Sequence, residues 1–367
     1  MKIQRIELKH LSIPLKKPFK TALRTVTSAE DTIVVIHTDD GQRGYGEAPP
    51  TAVITGNTNG AVRGAIREAI EKALIGEEIE NLERIMEKLD GAIIQNSSAR
   101  AAVDMAIYDL FGKLHDLPVY KLLGGYRDRI ETDITISINE PEEMKEDALS
   151  AIKKGFSALK IKVGKDIQKD IKRVKTIREA VGYGIKIRLD ANQGWLPKEA
   201  VGGIRKLEDA GLEIELVEQP VKAWDLEGLK FVTDHVDTPI MADESMFSPQ
   251  DAFKILNMRA ADLINIKLMK CGGIYNALKI VAMAETYGME CMLGSMIESK
   301  VGLTAAAHLA AAKRNITRFD LDAIFLLDED PVIGGIRPQG PMLVLPQEAG
   351  LGIRDIEGLK DVIETYL

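Results

Sequence analysis

The chain reads as an α/β protein: an eight-stranded parallel barrel preceded by a smaller α+β domain. Three observations predict this. Its 367 residues suit two domains rather than one. The pair Gly124-Gly125 interrupts a mixed first region. Beyond it, short β-rich runs alternate regularly with amphipathic helical stretches, the pattern of a parallel sheet with crossover helices.

In the first region, residues 3–15 and 32–46 have strand character, the second bent at the hairpin signal Asp39-Asp40-Gly41. Helical periodicity follows over residues 61–74 and 98–114. The β-rich runs of the second region are residues 132–138, 158–163, 186–190, 214–218, 239–243, 263–268, 290–295 and 316–321, with seven helical stretches between them. Eight such strands imply closure into a barrel. An open doubly wound sheet would instead carry a glycine-rich phosphate loop, and Gly44-Tyr45-Gly46 runs into Glu47-Ala48-Pro49-Pro50 rather than opening a helix. No eighth long helix follows Leu321. The Gly- and Pro-rich tail is expected to return to the first domain, so residues 1–125 completed by 326–367 form one unit and residues 126–325 the other.

Composition narrows the function. Apolar residues make up 45% and charged residues 28%, as in a soluble globular protein. A net charge of −8 leaves no electrostatic footprint for nucleic acid. Two cysteines, Cys271 and Cys291, do not make a disulfide scaffold. The charged N-terminus is unlike a signal peptide and no long apolar run offers a membrane span, so a cytoplasmic location is expected.

Functional residues of a parallel barrel stand at the C-terminal ends of its strands. Those positions here hold Lys160-Ile161-Lys162, Asp190, Glu218, Asp243-Glu244, Lys267 and Asp320-Leu321-Asp322; from Lys162 to Lys267 the charged residues are 28, 28, 25 and 24 residues apart. One acidic residue after a strand is usually a helix cap. Asp190, Glu218 and Asp243 on three adjacent strands would repel one another without a cation between them, and an all-oxygen set favours Mg²⁺. None of the five histidines falls at a strand end, which argues against zinc or Fe(II).

Strands 2 and 6 of an eight-stranded barrel face each other. Lys162 and Lys267 can therefore approach one carbon from opposite sides, as a 1,1-proton transfer requires. The α-hydrogen of a metal-bound carboxylate is acidified, and a nearby dication and second ammonium depress a lysine's pKa toward the neutral form it needs as a base. Lys160, on the same strand face as Lys162, supplies such a charge and can bind the carboxylate. Glu244 reads as a partner of Lys267. Lys270, past the strand end, reads as solvent-facing. Asp320 and Asp322 share a face across the mouth and make a receptor for an ammonium group.

This constellation resembles the muconate-lactonizing subgroup of the enolase superfamily, whose Lys or His bases work with Mg²⁺, and its Asp-x-Asp resembles that of the dipeptide epimerases. The similarity includes residues 17–24 and 264–270 and runs over nearly the whole chain. The resemblance implies a (β/α)7β modified TIM barrel with an α+β capping domain, and one Mg²⁺ per subunit on Asp190, Glu218 and Asp243. It implies Lys162 and Lys267 as the acid/base pair, Lys160 at the substrate α-carboxylate, and Asp320 and Asp322 at the dipeptide ammonium. Thr135, Ser295 and Ile297 match substrate-lining positions, and Arg24 matches the position that meets a glutamate side chain. The implied reaction is epimerisation of L-Ala-D-Glu to L-Ala-L-Glu in breakdown of murein peptides, with a dipeptide as the partner and no nucleic acid or membrane. Homo-oligomers are common for such barrels and are expected here. The alternatives are a dipeptide epimerase of other side-chain specificity, a cycloisomerase or o-succinylbenzoate synthase-like enzyme using the same lysines, or a silent barrel kept for binding.

Overall fold

The computed structural model describes residues 1–362; residues 363–367, the end of the segment expected to complete the cap, lie outside the described residues. Spaced apolar residues draw the first segment into a sheet: Ile3, Ile6, Leu8, Leu11 and Ile13 of β1 (Ile3–Lys20) are buried. β1 pairs antiparallel with β2 (Thr25–Thr38), Leu8 opposite Val34, and β2 turns at Gly41 into β3 (Arg43–Ala48). Both long strands run further toward their connecting loop than the apolar pattern indicates, because those arms overhang the second domain and are only partly buried on it.

β3 lies directly on the helix Ser97–Leu114, whose buried Ala102 and Ala106 face it. A Cβ on Gly46 would stand 1.8 Å from the Ala102 carbonyl oxygen, and one on Gly44 2.2 Å from that of Ala106. The Gly-Tyr-Gly sequence is therefore a surface for close strand–helix approach. The helix expected over 61–74 extends from Asn59 to Leu74 and passes through a π-helical turn, Ile66–Ile70; a further helix, Leu82–Ala92, had no counterpart in the sequence reading.

After the short β4 (Arg129–Glu131) come the eight barrel strands in sequence order: β5 (Ile134–Ile136), β6 (Ala158–Lys162), β7 (Lys186–Asp190), β8 (Ile214–Glu218), β9 (Ile240–Ala242), β10 (Leu263–Ile266), β11 (Glu290–Gly294) and β12 (Ile316–Asp320). Neighbours pair in parallel, and the Asp133 N–H donates to the Phe319 carbonyl at 3.1 Å to draw the first strand against the last. A long helix follows each of the first seven strands, Pro141–Lys153 through Lys300–Ala312, whereas β12 is followed by the four-residue helix Ala323–Leu326. The remaining strands are β13 (Val332–Gly334), β14 (Arg337–Gln339), β15 (Met342–Val344), β16 (Ile353–Ile356) and β17 (Lys360–Asp361). β14 and β15 join β4, β13 pairs with β16, and β17 adds to β1.

The barrel interior is layered. Leu216, Met241, Leu263 and Met292 form a separate apolar plug. On its N-terminal side Arg188 bridges Asp133 at 2.8 Å and Glu215 at 2.7 Å. On the other side the interior positions turn to lysine and carboxylate, so the mouth is a closed-bottomed bowl. Buried carboxylates fasten the cap above it. Glu47 of β3 accepts from Ser299 N–H (2.8 Å), Ser299 Oγ (2.9 Å) and Gly302 N–H (2.7 Å) where helix Lys300–Ala312 begins. Asp104 accepts from Ile274 and Tyr275 N–H where helix Ile274–Tyr287 begins. Both offer oxygens to the unpaired N–H groups of a helix N-terminus. The Ile138 N–H donates to the Lys20 carbonyl, which sets the β1–β2 loop beside the mouth.

Two measurements check this packing. Gly46→Ala is expected to lower unfolding free energy by about 3 kcal/mol, by overpacking, while Gly64→Ala, in a helix with open space at its Cβ, raises it by up to about 1 kcal/mol; urea denaturation of the two variants separates them. His308, fully buried with Nδ1 accepting from Tyr120 N–H at 2.9 Å, is pushed down to about 3 by burial. It stays neutral in the fold while the unfolded chain protonates it near 6.5. Its contribution to stability is thus present above 6.5 and is lost as pH falls toward 3, at about 1.4 kcal/mol per pH unit. Denaturation of the wild type and His308→Asn between pH 6 and pH 4 is expected to show that difference in slope.

Candidate active site

Strand register delivers the charged residues to one level. Lys162 lies beside Asp190 and Asp190 beside Glu218 across β6, β7 and β8, Asp243 and Lys267 follow β9 and β10 immediately, and Asp320 closes β12. The backbone leaves these strands under strain. Asn192, Gln193 and Gln219 have φ of 42°, 68° and 37°, left-handed values that non-glycine residues adopt at a cost. Their polar groups secure the turns: Asn192 N–H donates to Asp190 Oδ1 at 2.9 Å, and Gln219 Oε1 accepts from Asp243 and Ser245 N–H.

Six carboxyl groups (Asp190, Glu218, Asp243, Glu244, Asp320, Asp322) and four lysines (160, 162, 267, 270) are buried together here. Lys160 Nζ lies 2.7 Å from Glu218, 2.7 Å from Asp320 and 3.1 Å from Asp190. Lys162 pairs with Asp190 Oδ2 at 2.5 Å and Lys267 with Asp243 Oδ2 at 2.8 Å. Burial alone would raise Asp190, but Lys162 and Lys160 hold it at about 2; Asp243 is lowered in the same way by Lys267 and Lys270. Burial and Asp190 raise Glu218 to about 8, and burial with Asp243 and Asp190 raises Glu244 to about 7. Asp322, buried beside Asp320, is raised to about 6.

Several expectations change. With Asp243 turned to it, Lys267 is raised despite its burial, so the neutral form expected of a base depends on a cation taking that carboxylate. Glu244 accepts from Asn192 Nδ2 at 3.1 Å, a neighbour on the β7 loop rather than Lys267. Lys270 is not solvent-facing; it is fully buried and bonds to Asp243. Asn265, absent from the expected site, joins it in the fold: its Nδ2 donates to Glu218 Oε1 at 2.7 Å. Strand alternation could have found it, since it stands two residues before Lys267 on the same face.

Asp190, Glu218 and Asp243 are not drawn together as a closed metal site: among the described residues no group of three or more His, Cys, Asp or Glu side chains is arranged to hold an ion. Each carboxylate turns instead to a lysine, the positive charge within reach. Their chemistry nevertheless fits a hard dication. They are oxygen donors at the ends of the neighbouring strands β7, β8 and β9, and Glu244 Oε2 beside them is buried without a hydrogen bond.

Above this floor opens a cleft roofed by the cap. Lys160, Lys162, Lys267, Asp320, Asp322, Thr135, Ser295, Ile297 and Arg24 all line it, together with Ile54 and Asn192. The half-buried Arg24 reaches Thr51 Oγ1 at 3.4 Å from the β1–β2 loop. Asp322 Oδ2 accepts from Thr135 N–H at 2.6 Å. A larger cavity next door, between β1, β5 and helix Pro141–Lys153, shares Phe19 and Thr135 with the cleft but contains none of its catalytic-type lysines or carboxylates.

Residues 5–124 match the N-terminal domain of the mandelate racemase/muconate lactonizing enzymes, and residues 143–356 match the enolase C-terminal domain-like family. The chain belongs to the mandelate racemase/muconate lactonizing enzyme family of the enolase superfamily. Within that family it is 57% identical to the L-Ala-D/L-Glu epimerase of Clostridium acetobutylicum, over 97% of this chain and 99% of that one. It superposes with a TM-score of 0.96 on a substrate-liganded complex of the L-Ala-D/L-Glu epimerase of Bacillus subtilis, at 57% identity over 97% of this chain and 99% of the other. The dipeptide epimerase of Enterococcus faecalis, complexed with Mg and the dipeptide L-Leu-L-Tyr, superposes with a TM-score of 0.94 at 52% identity, over 97% and 100% of the chains.

For this family member, Gly294 at the end of β11 tests the geometry. A Cβ there would stand 2.8 Å from Asn265 Oδ1 and 3.1 Å from Lys267 Cε. Gly294→Ala is expected to displace the Lys267 stem and lower kcat about 10- to 100-fold, with the circular dichroism spectrum unchanged; steady-state kinetics check this.

Proposed function

We propose that the chain is a Mg²⁺-dependent dipeptide epimerase that inverts the α-carbon of the C-terminal residue, with L-Ala-D-Glu and L-Ala-L-Glu as its substrate pair. The observation that carries the reading is the placement of two amines in one cleft. Lys162 ends β6 and Lys267 follows β10, strands separated by half the circumference of the barrel, and both side chains line the same cleft. The epimerases of C. acetobutylicum and B. subtilis support the same assignment by their similarity over nearly the whole chain.

Asp190, Glu218 and Asp243 would hold the ion. Bound Mg²⁺ supplies the electrophilic charge that acidifies the α-hydrogen of a carboxylate substrate. Lys160, buried at the cleft floor, orients that carboxylate. One of the two lysines, as the free amine, takes the α-proton onto Nζ; the other, as the ammonium, returns a proton from Nζ to the opposite face of the same carbon. No bond to carbon other than C–H is broken, and the two lysines exchange roles for the reverse direction. Asp320 and Asp322 receive the dipeptide ammonium, Thr135, Ser295 and Ile297 line the peptide, and Arg24 pairs with the glutamate side chain.

A receptor for an ammonium group separates this reading from cycloisomerisation of a dicarboxylate. We assign the reaction to turnover of murein peptides in the cytoplasm, by a homo-oligomer in which residues 1–125 cap the barrel, with β17 of the C-terminal segment added to β1 while β14 and β15 join β4.

Incubation with L-Ala-D-Glu and Mg²⁺ in D₂O is expected to place deuterium at the glutamate α-carbon, read by mass spectrometry. Turnover of muconate with no dipeptide exchange would overturn the assignment. Lys267→Ala is expected to abolish turnover with little change in affinity, whereas Lys162→Ala retains solvent exchange for one epimer only. Asp320→Asn is expected to raise KM about tenfold, the scale of one charge-assisted hydrogen bond; unchanged kinetics would remove Asp320 from the ammonium site.

A further inference from the structure

Lys270 is a fully buried lysine to which the proposed reaction assigns no part. It lies in the helical turn Leu268–Cys271 that follows β10, three residues beyond Lys267. An ammonium group has three protons to donate, and this one meets three acceptors: Asp243 Oδ1, the Asp243 main-chain carbonyl, and the Asn265 carbonyl at 3.1 Å. The other oxygen of the same carboxylate, Asp243 Oδ2, faces Lys267 at 2.8 Å. Asp243 is therefore held from two sides by lysines of different standing. Lys267 lines the cleft, while Lys270 lies outside it.

We infer that Lys270 is a positioning residue that locks Asp243 by its Oδ1 and main-chain carbonyl, so that Oδ2 alone is presented for the divalent cation. The inference rests on the assignment of Asp243 as a cation ligand. Two bonds to one residue, one to its side chain and one to its backbone, fix both the rotation of the carboxylate and the height of the β9 end beneath it. A ligand held by one oxygen costs less conformational entropy on binding than one free to rotate. The arrangement also gives Oδ2 two suitors, the Lys267 ammonium and the cation, whereas Oδ1 has one permanent partner. Asn265 makes the frame continuous: its carbonyl accepts from Lys270 and its side chain donates to Glu218, so one strand holds both carboxylates.

The test measures Mn²⁺ binding as well as turnover. Lys270→Met is expected to weaken Mn²⁺ affinity by about tenfold or more, the range for partners of metal ligands, measured by electron paramagnetic resonance titration well below the variant's Tm. Lys270→Arg, which keeps a charged donor, is expected to recover part of that loss. A purely structural role would lower Tm and leave Mn²⁺ affinity within about twofold, which would overturn the inference. The wild type provides an arm that needs no variant. In a crystal of the Mg²⁺-loaded enzyme, Lys270 Nζ is expected within ~3.2 Å of Asp243 Oδ1, with Oδ2 on the metal. Asp243 binding the ion by Oδ1, or by both oxygens with Lys270 rotated away, overturns the inference. Failure of the epimerase reading itself looks different: Mn²⁺ binds and Lys270→Met weakens it, but no dipeptide exchanges deuterium.

Discussion

The site depends on buried carboxyl groups that outnumber the lysines beside them. Six carboxyl groups and four ammonium groups are buried in a bowl sealed beneath by Leu216, Met241, Leu263 and Met292. Water cannot screen them, so every carboxylate must find a cation or hold its proton. Asp190 and Asp243, flanked by lysines, remain ionised; Glu218 and Glu244, less well matched, are pushed up to about 8 and 7. A dication would take the place of the protons that Glu218 and Glu244 hold and would free the lysines from the carboxylates. The groups that would hold the ion and the groups that would move protons are thus the same electrostatic unit.

The barrel makes this unit possible by geometry. Parallel strands end at one level, so one charged side chain per strand end is enough to assemble the bowl, and backbone hydrogen bonds hold the spacing. The cap supplies what the strand ends do not. Arg24 and Ile54 reach over the mouth from loops, while Glu47 of β3 and Asp104 of the helix Ser97–Leu114 fasten the cap to the helices after β11 and β10. Chemistry on rigid strand ends and selectivity on covering loops are separable in such a design, which accords with relatives similar over nearly the whole chain yet named for different dipeptides.

Most of the barrel was legible from sequence. Each of the eight strands lies inside its expected range, because β-rich runs and helical periods alternate without interruption. The extension of β1 and β2 toward residues 20 and 25 was not legible: those arms are supported by contacts to the second domain, and no periodic apolar face records them. The glycines of β3 were read correctly as no phosphate loop, yet their purpose emerged only with Ala102 and Ala106 standing opposite.

Residue types and spacing pointed to the barrel, to the charged residues at its strand ends and to the kind of ion their oxygens suit, since a strand end is a position in sequence as well as in space; Arg24, Thr135, Ser295 and Ile297 came only from the family resemblance. Tertiary structure alone decided the pairings. Whether a lysine faces water or a carboxylate depends on what the neighbouring strand places beside it, and no local pattern carries that information. Lys270 is the clearest case: in sequence it is one more charged residue past a strand end, and in the fold it is sealed against Asp243 because β9 ends beside the turn that carries it.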